Sequence, residues 1–435
     1  MPYDYSDEPH GVFFLVDNKS FYASVEAVMR GLNPLKALLV VMSEQANTNG
    51  GLILATSPDA KVRYGLKANV SRQRDLPQDE RLIVVPPRMN LYIKRNLQIN
   101  NIFRRFVADE DLWPYSIDES ILDLTHSYKL FGETPLAVAK KIQHTIRQEL
   151  GLYVTIGIGE TPVQAKIALD VYAKHTPDLI GEIRYATVPE KIWTLPTLSD
   201  VWSIGHRTAT HLEKIGIHNM HDLAYCNPDQ LTAEFGIIGG QLYALAWGID
   251  RTLLRERIPV HDSSLGNSQV LPRDYRDQHE IETVIKEIGE QVASRLRHHN
   301  RLAGSLSLSI GFSYAASEQT GRGGFHQTVN IDPTADNHII VENLLMAFRS
   351  HWRQETVRNI AVYTGKLAPA TGQQLNLFDD PTQQIKNLHF QNVMDMLRAQ
   401  FGFRAATFAR SIMPGGTAIN RAALVGGHNG GNAYD

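Results

Sequence analysis

Residues 14–26 read FLVDNKSFYASVE, and residues 115–124 read YSIDESILDL. The first segment closes an apolar, strand-like run at Asp17, and the second places Asp118 and Glu119 at the edge of another such run. Carboxylates at the edges of buried strands are where proteins build two-metal sites for phosphoryl transfer. The two segments therefore predict nucleotide chemistry, and no other part of the sequence offers comparable reaction machinery.

The sequence around these segments alternates between strand and helix patterns. VFFLVD at 12–17 predicts a buried strand followed by a helix that ends at Gly31, and RLIVVPP at 81–87 predicts a further strand. Helical spacing of apolar residues then precedes the strand pattern YVTIGIG and a helix that opens at Pro162, a favoured first helical position. The stretch from about 32 to 81 has turn clusters and basic residues and predicts a small insertion. This order is typical of α/β material around a sheet.

The second half of the sequence predicts two further units and a tail. Strand patterns vanish between 196 and 250, where SIGHRTATHLEKIGIHNMHDL indicates helix, glycine turn and helix in a small all-α unit. The mixed composition of 255–268 is typical of a linker. The next hundred residues follow the order β-α-β-β-α-β, a split βαβ arrangement. Beyond 368 the polar composition predicts a mobile tail with one ordered helix near 386–401.

Composition limits the class of protein. The chain has 435 residues, 43% of them apolar and 20% charged, so at ~150 residues per domain about three or four domains are expected. No apolar run approaches the ~18 residues of a membrane span, and the first ten residues lack the pattern of a secretory signal, so a cytoplasmic location is expected. The single cysteine, Cys226, excludes an intrachain disulfide.

The net charge of −3 gives no bulk electrostatic support for a nucleic-acid partner. Any contact with DNA must therefore come from local patches and backbone amides.

Several segments, in order, resemble the motifs of Y-family translesion DNA polymerases over roughly residues 11–368. They are FLVDNKSFYASVE, PPRMNLY, YSIDESILDL, VTIGIGETPVQAKIA and the glycine turn near 203–217. Within the family the sequence most resembles the UmuC-like branch, the catalytic subunit of polymerase V type enzymes. The resemblance implies α/β and α+β domains in a right-hand polymerase with a ferredoxin-like palm, small fingers, an all-α helix-hairpin-helix thumb and a split βαβ little finger. The implied ranges are palm 1–30 and 82–186, fingers 31–81, thumb 187–254, little finger 265–368 and a tail at 369–435.

The resemblance implies that Asp17, Asp118 and Glu119 bind two Mg²⁺ ions, with the carbonyl of Asn18 as a further ligand. One ion would activate the primer 3′-hydroxyl and the other would hold the triphosphate and the leaving pyrophosphate. Taken singly, each acid has an ordinary alternative, because Asp17 could cap the next helix and the adjacent pair could decorate a hairpin.

The resemblance also implies a set of nucleotide-binding residues. Tyr22 matches the steric gate that excludes a ribose 2′-hydroxyl, and Phe21 is implied as a neighbouring nucleotide contact, although both could be core aromatics. Lys166 lies one turn into a helix, where its cation and the helix N-terminus can face phosphate; a solvated surface lysine is the alternative. The basic residue of the nucleotide lid falls on Lys61 or Arg63, since the family's aromatic lid position is Pro58 here. Arg88 and Tyr92 fit a further family pattern.

Two regions are expected to bind DNA. The turn at Ser203 and Gly205 resembles a helix-hairpin-helix that holds phosphates through backbone amides, with Ser203 in place of the first glycine; a structural αα-turn is the alternative. In the split βαβ unit, the expected DNA contacts are Arg295, Arg297, Arg301, Ser305 and Ser307. A solvated face of an amphipathic sheet would explain the same pattern.

Gln374, Leu375, Leu377 and Phe378 in QLNLF resemble the peptide by which bacterial polymerases dock on the sliding clamp. The implied partners are therefore primer-template DNA, a dNTP and the sliding clamp, with accessory subunits or a recombinase as further candidates. The chain is expected to be a monomer and to associate with the nucleoid.

The sequence thus predicts a low-fidelity DNA-templated DNA polymerase that adds deoxynucleotides across damaged templates. A catalytically silent relative that recruits partners to DNA is the alternative of another class. A palm-type nucleotidyl cyclase is a third possibility, although it has no use for a hairpin thumb or a clamp peptide.

Overall fold

A mixed five-stranded sheet organises the first part of the chain in the computed structural model, which describes residues 3–43, 51–256, 264–371 and 380–430. Its strands run in the order β5-β6-β1-β7-β8, and β1 pairs antiparallel with both β6 and β7. The elements here are β1 (Phe13–Asn18), α1 (Phe21–Met29), β2 (Leu39–Met42), β3 (Ile53–Thr56), α2 (Pro58–Tyr64), β4 (Ile83–Val85), α3 (Met89–Phe103), β5 (Leu112–Pro114), β6 (Glu119–Asp123), α4 (Pro135–Leu150), β7 (Val154–Gly159), α5 (Pro162–Ile167) and β8 (Ile180–Ile183).

The central position of β1 follows from its sequence. Both faces of FFLVDN are almost wholly buried, as expected for an apolar strand with neighbours on each side. Phe14 and Val16 join the core formed with α3 and α4, whereas Phe13 and Leu15 pack with residues of α5 and the segment after it. The predicted strand at 12–17 and the helix after it are confirmed.

Two glycines in β7 allow α5 to approach the sheet closely. A Cβ atom at Gly157 would lie 2.0 Å from the carbonyl oxygen of Ala165, and one at Gly159 would lie 2.4 Å from the backbone nitrogen of the same residue. Any side chain at either position would push the helix away. The glycines therefore set how near the side chains of α5 come to the acidic end of β1.

A small three-stranded sheet forms beside the five-stranded one, in the order β3-β2-β4. The strand predicted at 81–87 is present as β4, but it pairs in parallel with β2 and does not join the larger sheet. The partner strand, β2, belongs to the predicted insertion about forty residues earlier. The local pattern of β4 therefore gave no information on its partner.

Short helices follow, consistent with the predicted all-α unit. They are α6 (Val188–Lys191), α7 (His206–Lys214), α8 (Met220–Tyr225), α9 (Pro228–Phe235) and α10 (Ile237–Ala246). Gly216, with a φ of 87°, makes the turn between α7 and α8, as the pattern predicted. Ser203 also adopts a positive φ, of 78°, which costs a residue with a Cβ about 1–2 kcal/mol and explains why a glycine is usual there.

A four-stranded antiparallel sheet in the order β11-β10-β12-β9 carries two long helices on one face. The predicted β-α-β-β-α-β order is confirmed. One short extra helix lies between the second and third of these strands in chain order. The elements are β9 (Leu265–Tyr275), α11 (Gln278–His298), β10 (Arg301–Phe312), α12 (Tyr314–Thr320), β11 (Gly324–Thr334), α13 (Asn337–His351) and β12 (Val357–Pro369).

The expectation of a mobile tail was wrong for most of the C-terminal segment. The predicted helix is present as α14 (Pro381–Phe401), and it is followed by α15 (Ala418–Arg421), β13 (Leu424–Val425) and β14 (His428–Asn429). Val425 packs against the core of the five-stranded sheet. The backbone nitrogen of Asn90 donates to the carbonyl of Gly430 at 2.8 Å. Charged contacts, which a composition argument does not see, hold this segment in place.

The buried carboxylate of Glu287 on α11 is the main anchor of the C-terminal segment. It accepts hydrogen bonds from the backbone nitrogen and hydroxyl of Thr417 at 2.9 and 3.1 Å, and Arg421 lies 3.8 Å away. Arg421 also donates to Gln269 at 2.7 Å. Because these groups are desolvated, each depends on its partners.

Across the described residues, no helix is both long enough and apolar enough to cross a membrane.

Replacing Arg421 with Met should release the C-terminal segment, because the change leaves the buried Glu287 carboxylate without its cation. A loss of about 3 kcal/mol is expected for one partner of a buried pair. Amide hydrogen exchange of residues 417–430 should then accelerate about a hundredfold. The matched control is Arg276→Met at an exposed position, and equal exchange rates in both variants would contradict the anchoring role.

Candidate active site

The sheet register brings the three predicted acids to one place. Asp17 lies directly opposite Glu119 across β1 and β6, and the backbone nitrogen of Asn18 donates to the carbonyl of Asp118 at 2.9 Å. Glu119 is the first residue of β6 and Asp118 precedes the strand. Neighbouring residues in a regular strand point to opposite faces, so this position at the strand start is what allows both to serve one site. Ser116 holds Asp118 by donating to Oδ1 at 2.8 Å.

Two lysines face the acids from α5 and the segment after it. Lys166 Nζ lies 2.7 Å from Glu119 Oε1, and Lys174 Nζ lies 3.1 Å from Asp17 Oδ2. Asp170 stands between the lysines and accepts contacts from both, at 3.2 and 2.8 Å. A π-helical turn spans 168–172, a feature that often marks functional sites. Lys166, Asp170 and Lys174 thus form a row of alternating charges that faces Glu119 and Asp17.

Burial and mutual repulsion shape the acidity of this cluster. Burial raises the pKa of Asp17, and the nearby Asp118 carboxylate adds to the rise. Burial likewise raises the pKa of Asp118, with a contribution from Glu119. The pKa of Lys166 is also raised, because hydrogen bonds to the carboxylates outweigh the desolvation that opposes its charged form. The negative charges of these carboxylates therefore repel one another, and nearby cations stabilise their ionised forms.

The donor set suits a hard divalent cation, although the cage is not preformed. Carboxylate oxygens are the ligands that Mg²⁺ prefers, and the side-chain oxygen of Asn18 is buried without a hydrogen-bond partner in the described structure. However, no three acidic, histidine or cysteine side chains converge as metal ligands among the described residues. Glu119 and Asp17 point instead at the two lysines, so a cation has to draw the carboxylates away from them.

The two predicted aromatics of α1 lie in different surroundings. Phe21 is in the core with 4% of its surface exposed, so its ring is not available at the surface. Tyr22 stacks on Tyr92, with ring centroids 4.4 Å apart and planes 12° from parallel. Burial and the charge of Asp118 raise the pKa of the Tyr22 phenol, which places this ring within electrostatic reach of the acids.

The Tyr92 ring is held by a buried carboxylate that the sequence reasoning missed. Glu26 is fully buried and accepts two hydrogen bonds from Arg88, at 2.9 and 2.7 Å, and one from the Tyr92 hydroxyl at 2.9 Å. Arg30 pairs with it as well. Although burial favours the neutral form, these bonds lower the pKa of Glu26. Arg88 and Tyr92, both predicted near the nucleotide, thus fix the ring beneath Tyr22.

The two predicted lid residues, Lys61 and Arg63, both lie on α2 and are both exposed. Arg63 lies 4.0 Å from Asp59 on the same helix. Burial, together with the neighbouring charges of Lys61 and Lys174, lowers the pKa of Lys19.

The predicted DNA contacts of the four-stranded sheet are in mixed surroundings. Arg301 is exposed at the start of β10, and Arg295 donates to the carbonyl of Gly266 at 2.7 Å. Ser305 is buried, whereas Ser307 shares a hydrogen bond of 2.8 Å with Thr328. Arg297 is different, because only 11% of its side chain is exposed and it pairs with Asp395 of α14 at 2.7 Å. It joins α11 to α14, so the prediction that Arg297 contacts DNA is not supported by its surroundings.

At the hairpin, Gly205 precedes α7 and has no side chain to satisfy the first amides of the helix. These amides remain open to an outside acceptor such as a phosphate. The four residues of the predicted clamp peptide, Gln374, Leu375, Leu377 and Phe378, lie outside the described residues.

Sequence reasoning also missed Lys174 and Asp170. Their spacing carried a usable signal, since Lys166, Asp170 and Lys174 recur every fourth residue and so share one face of a helix.

Comparisons with known proteins agree on one family. A model of the impB/mucB/samB family matches residues 16–170, and the C-terminal domain model of the same family matches 262–377. UvrX of Bacillus subtilis (strain 168), named for UV-damage repair, is 40% identical over 98% of this chain and 99% of its own length. DNA polymerase IV 2 of the same organism is 35% identical over 96% of this chain and 98% of its own. DNA polymerase IV of Moorella thermoacetica (strain ATCC 39073 / JCM 9320) is 33% identical over 92% of this chain and 96% of its own.

Among solved structures, a Y-family DNA polymerase chimera superposes with a TM-score of 0.64 at 22% identity. The match covers 82% of this chain and 99% of the chimera. It concerns the fold alone.

Replacing Glu26 with Gln should destabilise the five-stranded sheet and loosen the Tyr22 ring. The change leaves Arg88 beside a buried neutral group, and breaking such a pair costs about 3 kcal/mol. Urea unfolding followed by far-UV circular dichroism measures this cost. The control is Glu149→Gln, which breaks the exposed pair with Arg105 and should cost less than about 1 kcal/mol; equal costs would refute the role of Glu26.

Proposed function

Because this chain belongs to the impB/mucB/samB family of UmuC-like Y-family DNA polymerases, we propose that it performs low-fidelity translesion synthesis by two-metal transfer of deoxynucleotides to a primer 3′-hydroxyl. The chain is a DNA polymerase, as its relatives are. The observation that carries the proposal is the register that sets Asp17 opposite Glu119, with Asp118 beside them.

Asp17, Asp118 and Glu119, together with Asn18, would hold two Mg²⁺ ions. Such ions, when bound, lower the pKa of the primer 3′-hydroxyl and neutralise charge on the leaving pyrophosphate. The chain's own contribution is to gather the oxygens through the pairing of β1 and β6 and to desolvate them.

Lys166 and Lys174 would exchange partners during nucleotide binding. Without a nucleotide they neutralise Glu119 and Asp17. Lysine side chains that are not engaged by carboxylates would be able to pair with triphosphate oxygens. Lys61 supplies a further cation from α2. This exchange conserves the charge balance of the site, so neither state leaves buried charges uncompensated.

The remaining proposed roles are those of the domains and of the residues that would bind DNA and the clamp. Residues 1–30 and 82–186 would be the palm, 31–81 the fingers, 187–254 the thumb, 265–368 the little finger and 369–435 the tail. The backbone amides at Ser203 and Gly205 would bind phosphate, as would Arg295, Arg301 and Ser307; Ser305 is buried and is not part of this surface. Gln374, Leu375, Leu377 and Phe378 would bind the sliding clamp.

The small size of the proposed fingers supports low fidelity. Two short strands, α2 and a 3₁₀ turn at Gln73–Asp75 are the regular elements that the described part of this segment offers to cover a nascent base pair. A cover of this size leaves room for distorted templates, so damaged bases would be accepted at the cost of accuracy.

One observation favours a second candidate, a catalytically silent relative that recruits partners to DNA. Glu119 and Asp17 are already paired with lysines, and a purely structural role would need no cation at these two acids.

Asp118→Asn separates the two candidates. The proposed function requires primer extension with Mg²⁺ by the wild type and loss of extension below detection in the variant. The unfolding temperature should not fall, because the change removes a carboxylate whose charge is disfavoured by burial and by Glu119, while the asparagine oxygen can still accept from Ser116. A wild type that fails to extend any primer would support the scaffold instead.

Tyr22→Ala should raise the incorporation of ribonucleotides, because the ring stacked on Tyr92 no longer blocks a 2′-hydroxyl. Competition between a dNTP and the matching rNTP on one primer-template measures the ratio. Tyr22→Phe is the matched control, since it keeps the ring and should keep the selection. Unchanged sugar selection in Tyr22→Ala would remove Tyr22 from the gate.

A further inference from the structure

Three exposed aromatic side chains form a continuous row next to the acidic cluster, here called the aromatic row: Trp113, Tyr115 and Trp202. Their exposed fractions are 43%, 39% and 38%. Trp113 and Tyr115 meet edge to face with ring centroids 5.9 Å apart, and Tyr115 meets Trp202 in the same way at 6.3 Å. Contiguous exposed aromatic surface usually marks an interaction site, whereas single exposed apolar residues do not.

The aromatic row begins at the turn that carries the catalytic acids. The backbone nitrogens of Tyr115 and Ser116 both donate to the carbonyl of Glu119, at 2.9 and 3.0 Å. The Ser116 hydroxyl in turn holds Asp118. Tyr115 is therefore fixed within one tight turn of the groups that are proposed to act on the primer terminus.

At its other end the aromatic row reaches the proposed phosphate-binding hairpin. Trp202 immediately precedes Ser203, whose positive φ of 78° shapes the hairpin turn. The row thus spans from β5 of the five-stranded sheet to the loop before α7, and it connects two surfaces that the proposed function assigns to the same duplex.

The two tryptophans of the row differ from the other tryptophans. The indole nitrogens of Trp193, Trp247 and Trp352 each donate to a backbone carbonyl, at 2.8, 2.9 and 2.8 Å. Neither Trp113 nor Trp202 has a hydrogen-bonded indole within the described ranges, although buried tryptophans normally find such a partner. Within the described ranges the polar edges of these two rings are therefore not used in hydrogen bonds of the protein itself.

We propose that the aromatic row binds the primer strand, by packing against the deoxyribose rings of its last few nucleotides. The inference rests on the proposed function. The strand must be the primer, because its 3′-hydroxyl is the end that has to reach Asp118 and Glu119, and the row begins at that turn. Sugar contacts carry no sequence information, so the row holds any primer equally.

This contact would compensate for the weak cationic character of the chain. The net charge is −3, and the arginine next to β5, Arg255, is occupied by Asp111 at 2.6 and 2.9 Å. Aromatic contacts with nucleic acid release no counterions, so they add affinity that salt does not screen. The row therefore supplies affinity where phosphate-binding cations are few.

Equilibrium binding of a fluorescent primer-template to the full chain tests the proposal. Trp113→Ala and Trp202→Ala should each weaken binding about tenfold, because each loses the apolar area that an indole buries against a sugar. The slope of affinity against salt should stay at the wild-type value, since that slope counts phosphate contacts. Trp202→Phe should restore most of the affinity, which separates loss of the ring from damage to the hairpin.

Phe401→Ala is the matched control, because it removes a ring with 63% of its surface exposed on α14 and should leave DNA binding unchanged. A photoreactive thymidine analogue, placed two to four nucleotides from the primer 3′ end, should cross-link to the row in the wild type. The same group in the template strand should not.

Wild-type affinity in both tryptophan variants, a tryptophan variant that flattens the salt slope, or cross-linking through the template strand would each overturn the proposal. Binding is measured without nucleotide or metal, so the result stands whether or not the wild type extends primers. A chain that binds through the row but never extends would refute the polymerase function and leave the row in place.

Discussion

The ion pairing between Lys166 and Glu119, and between Lys174 and Asp17, is the contact on which the candidate site depends. Three carboxylates gathered at one strand edge would repel one another and resist burial without nearby cations. The lysines reach them only because glycines in β7 let α5 lie against the sheet. A backbone feature with no chemistry of its own thus makes the charge cluster compatible with folding.

The same principle applies at three other places where elements distant in the sequence meet. Glu26 joins α1 to α3 through Arg88, Arg297 joins α11 to α14, and Glu287 joins α11 to the C-terminal segment. Because an unpaired buried charge is costly, each pairing allows one arrangement and penalises alternatives. The C-terminal segment is held to α11 by such a pairing, and beyond it Val425 packs against the core of the five-stranded sheet.

Much of the fold follows from local patterns. The apolar run ending at Asp17, the alternation of residues 305–312 and the glycine turn at 216 each specify an element, because periodicity and turn chemistry act over a few residues. The prediction was wrong where stability comes from distant partners. The residues that follow α14 look like a mobile tail in isolation, yet Arg421 and Thr417 satisfy a buried carboxylate on α11.

The sequence by itself identified the acidic motifs and the family that the chain resembles, since a motif is read from a few consecutive residues. It did not determine what those acids touch. Only the tertiary structure showed that Glu119 and Asp17 are held by lysines, that Arg88 supports Tyr92 from behind, and that aromatic rings from β5 and the hairpin loop form one surface. These are contacts between residues tens of positions apart, and their geometry depends on how whole elements pack, which no local pattern specifies.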